Sequence, residues 1–194
     1  MLDAKQAEKI FIDSGALLQG HFILTSGRHS DRYMQCAQVL QYPQYTEVLA
    51  RELADRFREE KVDLVMGPAM GGIIVAYEVA RQLGVRGIFC ERENGQMTLR
   101  RGFTIEPGSR VLIVEDVVTT GGSVREAMTV VQELGGQVAG VALLVDRSGG
   151  EVDFGVKTEA ALTMEITSYD AADCPLCRQG QIPAVKPGSR TAAR

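Results

Sequence analysis

The amino-acid sequence predicts an α/β protein built on a mainly parallel central sheet flanked by helices. Three observations lead there. Apolar, β-branched runs at 62–66, 111–114 and 138–145 have the pattern of strands buried on both faces. Segments with helical periodicity lie between them, and glycine-containing turns mark the joins. Neither an internal repeat nor a low-complexity stretch occurs before residue 183.

Taken in order, residues 3–18 read as an amphipathic helix closed by Gly20. Residues 22–24 and 33–36 read as short strands around a turn at Ser26 and Gly27. Pro43 opens a second helix that runs to about Glu59, with Val48, Leu49, Leu53, Ala54 and Phe57 on its inner face. The strand 62–66 passes through Gly67-Pro68-Ala69-Met70-Gly71-Gly72 into a helix over 73–83, which Gly84 stops. A strand at 88–90 enters a hairpin-like excursion with Asn94-Gly95 at its turn, returns at Phe103, and turns again at Pro107-Gly108. After 111–114, Ser123 is placed to cap a helix over 124–134, and Gly135-Gly136 leads into the strand 138–145. Strands and helices in alternation imply right-handed crossovers, and ligands of such sheets bind beyond the carboxyl ends of the strands.

Composition bounds the function. A chain of 194 residues, 45% hydrophobic, can bury a substantial core as one domain. With Lys+Arg 21 against Asp+Glu 25, the net charge of -4 provides no general basic field for nucleic acid. No apolar run is long enough to span a membrane, and charges are interspersed through residues 3–9, so a cytoplasmic protein without a membrane partner is expected. Cys36, Cys90, Cys174 and Cys177 are too few and scattered for a disulfide framework and are expected to be reduced. Cys174-Pro-Leu-Cys177 has zinc-knuckle spacing, but a tetrahedral site needs four ligands, and His21, His29, Cys36 and Cys90 are the other candidates. An incidental or local structural role is the favoured reading; a zinc shared across a dimer and a redox pair are the alternatives.

The chemistry concentrates at 111–123, V-L-I-V-E-D-V-V-T-T-G-G-S. Glu115 and Asp116 fall at the carboxyl end of a buried strand, and 119–123 then supplies hydroxyls, approachable backbone N–H groups and a helix start. Carboxylates repel phosphate but accept hydrogen bonds from hydroxyls. A phosphoribosyl group satisfies both halves. Three further strand-end features surround this one. The glycines of 67–72 suit a backbone nest for an anion, although such turns also serve packing. Arg92, Arg100 and Arg101 in the 91–103 excursion suit a polyanionic leaving group, although Glu91 and Glu93 also allow a plain solvated hairpin. In Asp146-Arg147-Ser148-Gly149-Gly150, Arg147 either faces the same crevice as Thr119 or forms a surface pair with Asp146.

Residues 111–123 resemble the 5-phosphoribosyl 1-diphosphate (PRPP) signature of the type I phosphoribosyltransferases: a hydrophobic strand, two acids and a T-x-G-x-[ST]-like loop. Phe22, Leu24, Ser26, Gly27, Ser30 and Tyr33 resemble the F-x-L-x-S-G-x-x-S-x-x-Y element of the orotate phosphoribosyltransferases. Thr25 stands where many members have Lys, and Arg100 and Arg101 stand in a loop where many have lysines and a histidine. The resemblance implies the type I phosphoribosyltransferase fold over 1–194, with a small hood from N- and C-terminal segments (about 1–42 and 150–180), a core over about 43–149 and a frayed tail over 183–194. It implies transfer of the phosphoribosyl group of PRPP to orotate, giving orotidine 5'-monophosphate and diphosphate in UMP biosynthesis. PRPP would contact Glu115, Asp116, Val117, Val118, Thr119, Thr120, Gly121, Gly122, Ser123, Ala69, Met70 and Gly71, and orotate would contact Thr119 and Arg147. Glu115, Asp116, Arg92, Arg100 and Arg101 would carry catalysis, with Mg²⁺ held mainly by PRPP rather than by protein ligands. A homodimer is implied, the loop between Arg92 and Arg101 reaching the partner's site. A purine phosphoribosyltransferase or a PRPP-sensing regulator of the same fold are the alternatives.

Overall fold

The computed structural model describes residues 2–24 and 26–187. Helix α1 (Ala4–Asp13) opens on a capping box: the Asp3 carboxylate accepts the Gln6 N–H, and the Gln6 side chain accepts the Asp3 N–H. It is shorter than its sequence pattern suggested. Gly15, at φ 70, turns the chain away, and Gly20 lies inside strand β1 (Leu17–Ile23) rather than ending a helix. The apolar run at Ala16 and Leu17 is buried, but it is buried as the start of a strand. β1 pairs antiparallel with β2 (His29–Met34), so the two short strands exist, displaced toward the N-terminus of their expected positions.

A single turn α2 (Ala37–Leu40), not evident in the sequence, precedes α3 (Pro43–Arg56) and a 3-10 turn at Arg58–Glu60. Leu49, Leu53, Ala54 and Phe57 are fully buried as expected. Val48 is not: it stands off the stripe defined by Thr46, Leu49, Ala50 and Leu53 and is 41% exposed. β3 (Leu64–Pro68) then leads to α4 (Gly71–Leu83), which ends at Gly84 in the left-handed region. β4 (Arg86–Glu93) and β5 (Gln96–Leu99) form the expected hairpin, with Asn94 and Gly95 both at positive φ in its turn. β6 (Arg110–Val118), α5 (Gly122–Glu133) and β7 (Gln137–Asp146) follow. β8 (Thr158–Thr163) and α6 (Pro175–Gln179) were not anticipated; β8 is alanine-rich and lacks a β-branched run.

Six strands make one sheet in the order β5-β4-β3-β6-β7-β8, parallel throughout except for β5. Successive residues of β6 serve opposite faces. Leu112 and Val114 pack with Phe11, Leu53, Phe57 and Val79 beneath α1, α3 and α4, while Val111 and Ile113 pack with Val124 and Val131 of α5. The chain reverses direction across the sheet between β3 and β6, the switch point at which such folds bind ligands. There the ladder from β3 stops at Met66 opposite Ile113, while the ladder to β7 continues to Val118 opposite Asp146. A cleft opens on the β3 side of β6.

The N- and C-terminal segments meet away from this sheet. His29 exchanges both backbone hydrogen bonds with Tyr169, and Val185 bridges His21 and Ile23. Arg28 donates to the Ser168 hydroxyl, the Ser168 carbonyl and Asp170, and the Ser30 hydroxyl donates to the Thr167 carbonyl. The frayed tail expected from 183 onward is thus paired at Val185. Thr25 and residues 188–194, including Arg190 and Arg194, lie outside the described residues. Among the described residues no helix is long and apolar enough to cross a membrane.

Phe57 fills the junction of α3 with β7, where a side chain at Gly140 would strike its ring and the Lys157 ammonium lies 5.1 Å from its centroid. Phe57→Ala should cost about 3–5 kcal/mol, read as a lower urea midpoint at unchanged slope.

Candidate active site

Glu115 and Asp116 lie within β6, which runs on to Val118, rather than at its very end. The two carboxylates lie close to each other and both reach the head of α4. Asp116 faces the start of α4. A Cβ at Gly71 would fall on its carboxylate, and one at Gly72 would meet the Val114 carbonyl at 2.9 Å and Glu115 Oε1 at 3.1 Å. These glycines therefore bring the loop after β3 against the acids, a close approach the sequence reading assigned to an anion nest. The Ala69–Met70 peptide is cis, and Met70 stands 84% exposed at the head of α4.

Both carboxyls are held above their usual range. Burial is the main cause for each, and for Glu115 the Asp116 charge adds to it. Backbone groups offset part of the cost: the Asp116 N–H donates to Glu115 Oε1 at 3.1 Å and the Val117 N–H to Asp116 Oδ1 at 2.8 Å. Cys36, buried behind Asp116, has its thiol pushed well up by burial and by that carboxylate. Without a ligand, the site retains a proton that exposed acids would have released at neutral pH.

Beyond Val118 the chain forms the loop expected to be a phosphate cradle. Gly121, at φ 79, is the N-cap of α5, and a Cβ there would strike Phe154 and Val152 at 2.8 and 2.9 Å. Ser123 is not the cap; it lies inside the first turn, its hydroxyl 3.5 Å from Arg92. No side chain caps α5, so its leading N–H groups remain available to an anion. A cavity of about 300 Å³ is lined by Arg92, Glu115 and residues 117–124.

The three arginines of the excursion separate. Arg92 reaches the cradle of its own chain, braced by Glu126 at 3.0 and 2.9 Å. Arg100 pairs with Glu93 at 3.2 Å, and Arg101 with Glu91 at 3.1 Å, both turned back onto the hairpin. Sequence reasoning missed Glu126, because only the folded hairpin sets β4 opposite α5.

Thr119 also lines a second cavity of about 410 Å³ with Arg147, Ser148, Gly149, Glu151, Val152 and Glu165. The anticipated alternative for Arg147, a surface pair with Asp146, does not form. Asp146 is buried and accepts both the N–H and the hydroxyl of Ser148, at 2.8 and 2.7 Å. Arg147 Nε is buried with no hydrogen-bond partner among the described residues. A buried cationic N–H without an acceptor is costly, and an anionic ligand group would satisfy it. Glu165 comes from the segment that Arg28 and Ser30 hold, so the N-terminal hairpin supports this wall from behind.

The donor set suits a hard cation carried by substrate. Glu115 lines the cavity and the Asp116 carboxylate lies beside it against Gly71, and among the described residues no third acid, His or Cys joins them in a cluster. Mg²⁺ is commonly held this way, by one or two carboxylates and phosphate oxygens.

Two buried acids next to open helix N–H groups, at the switch point of a parallel sheet, have the layout expected of a phosphoribosyltransferase site. The model of the phosphoribosyl transferase domain family matches residues 35–157, more than half of the chain. Orotate phosphoribosyltransferase of Pelotomaculum thermopropionicum is 69% identical over 181 residues, 93% of this chain and 95% of that one. That of Desulforamulus reducens is 64% identical over 93% of this chain and 94% of its own. The crystal structure of orotate phosphoribosyltransferase from Aeropyrum pernix, 28% identical, aligns with a TM-score of 0.64 over 81% of this chain and 93% of that chain. The chain belongs to the phosphoribosyl transferase domain family and, within it, to the orotate phosphoribosyltransferases.

The raised Glu115 carboxyl has a thermodynamic consequence. The folded state keeps a proton that the unfolded state releases near pH 4.5, so ligand-free stability falls as pH rises above that value. Glu115→Gln removes the penalty. It should be more stable than the parent by on the order of 1 kcal/mol at pH 8, with the difference vanishing toward pH 4. Thermal melts across that range measure it, and a difference independent of pH would contradict the assignment.

Proposed function

We propose that this chain transfers the phosphoribosyl group of PRPP to N1 of orotate, releasing diphosphate, with the residues of the two joined cavities in the following roles. The unpartnered Arg147 Nε, in a cavity that shares Thr119 with the phosphate cradle, is the observation that carries the substrate choice. Orotate presents a carboxylate to that guanidinium, whereas a neutral purine leaves it unpaired. Thr119, on the common wall, sits between base and ribose.

The 5'-phosphate takes the N–H groups at the head of α5, between Thr119 and Ser123, with Val117 and Val118 behind them. Glu115 and Asp116 accept the ribose hydroxyls and offset the positive charge that grows on the ring as the bond to diphosphate breaks. Arg92 exchanges Glu126 for a diphosphate oxygen, a small loss because its present pair is exposed. Ala69, Met70 and Gly71 carry the loop that flanks the departing group, and Arg100 and Arg101 join it by leaving Glu93 and Glu91 as the hairpin moves. Bound with PRPP, Mg²⁺ would neutralise diphosphate charge, and Glu115 and Asp116 are the side chains positioned to assist in holding it. Orotate N1 can lose its proton in solution, so no residue is assigned as general base. The reading includes a cytoplasmic homodimer, with the hood over 1–42 and 150–180 and the core over 43–149.

Protein, Mg²⁺, PRPP and orotate together should deplete orotate absorbance; turnover of a purine with none of orotate would overturn the proposal. Arg147→Ala should raise the KM for orotate roughly 10- to 100-fold, the worth of one charged hydrogen bond, and leave the KM for PRPP nearly unchanged. Asp116→Asn should lower kcat while orotate affinity persists, and an unaltered kcat would remove its role at the ribose.

A further inference from the structure

A second cluster of reactive side chains lies at the junction of β1, β2 and the 165–185 segment, and the reaction has no use for it. His21, His29, Cys174 and Cys177 each present one ligating atom, all within 4.8 Å of one another. His21 and His29 are 3% and 8% exposed, Cys174 is fully buried, and Cys177 closes the cluster from the exposed side. We propose that these four residues bind one zinc ion in a closed tetrahedral site that staples the C-terminal segment to the N-terminal hairpin. The proposal is independent of the reaction assigned above.

Geometry and proton counting both support it. Zinc bonds of about 2.3 Å to sulfur and 2.0–2.1 Å to nitrogen imply tetrahedral edges of roughly 3.5 Å between N and S and 3.3 Å between two N atoms. His21 Nε2 lies 3.5 Å from Cys174 Sγ and 3.6 Å from Cys177 Sγ, and His29 Nδ1 lies 3.3 Å from Cys177 Sγ. The two ring nitrogens, at 2.8 Å, need to part slightly. One imidazole nitrogen carries at most one proton, yet His21 Nε2 faces a nitrogen and two sulfurs at once. A cation satisfies all three contacts together. On the far side of the ring, His21 Nδ1 lies 3.0 Å from the Ile182 carbonyl, which places the proton there and turns the Nε2 lone pair into the cluster.

Two nitrogens and two thiolates in a tetrahedron select zinc, and four protein ligands leave no open position for catalysis. Such a site gives the C-x-x-C a local structural role within one chain. The missing ligands are the two histidines of the hairpin, while Cys36 packs against Asp116 and Cys90 against Gly67. No ligand from a second subunit is required.

The full chain, purified under reducing conditions without added metal, should contain one zinc per chain by elemental mass spectrometry, released when a mercurial titrates the thiols. Cobalt exchanged into the wild-type protein should give the intense visible bands and thiolate charge-transfer absorption of a tetrahedral S₂N₂ site. Cys177→Ser and His29→Ala should lose zinc and those bands, whereas Cys90→Ser should keep both. Chelation should lower the melting temperature and expose 165–185 to protease. The absence of zinc and of a cobalt spectrum in reduced, folded wild-type protein would overturn the proposal, as would a Cys174–Cys177 disulfide that persists under those conditions.

Discussion

The site depends on β6 extending past its neighbour on one side only. Up to Ile113 the strand is paired on both edges; beyond it, β7 continues and β3 does not. That asymmetry lets two acids occupy a buried strand without being sealed in the core. Their backbone remains fixed by β7, while Glu115 borders the cavity at the head of α5 and Asp116 lies against the head of α4. The heads of α4 and α5 both converge on this gap. Gly71 and Gly72 permit one approach, and Gly121, against Phe154 and Val152, permits the other.

Charge in the cleft is arranged so that opposite signs do not neutralise one another before a ligand arrives. The acids are satisfied by backbone N–H groups and by retained protonation, not by the nearby arginines. Arg92 is held by an exposed partner that it can release at little cost, and Arg147 has none for its Nε. The α5 N-terminus contributes donors without net charge. Acceptors at the centre and donors on both sides give the cleft the polarity that the proposed substrate pair requires.

The sheet and the strand-loop-helix unit over 111–123 are largely legible in the sequence because buried parallel strands are continuous apolar runs and because that unit is contiguous. Errors arose where local signals compete. Ala16 and Leu17 continue the apolar pattern of α1, yet Gly15 breaks the helix ahead of them. Ser123 is a good capping residue type, yet the positive φ of Gly121 starts α5 earlier. Arg147 was ambiguous because a pair with Asp146 looked equally available, and only the Ser148 hydrogen bonds to Asp146 resolve it. All four members of the histidine and cysteine cluster are sequence candidates, but so are Cys36 and Cys90, and only the pairing of Phe22 with Val185 and of His29 with Tyr169 selects among them.

That pairing also governs the order of assembly. The core strands join segments close in sequence, whereas the hairpin at 17–34 must wait for 165–185, across one of the longest loops the chain can close. Contacts of such separation form late, because the entropy of closing the intervening chain is lost before they return any stability. Residues 111–123 leave the ribosome well before 165–185, so β1 and β2 wait longest for their partner, and the wall bearing Glu165 depends on that late contact. The cavity at the head of α5 is built from residues that precede 125, whereas its neighbour stays open until Glu165 arrives.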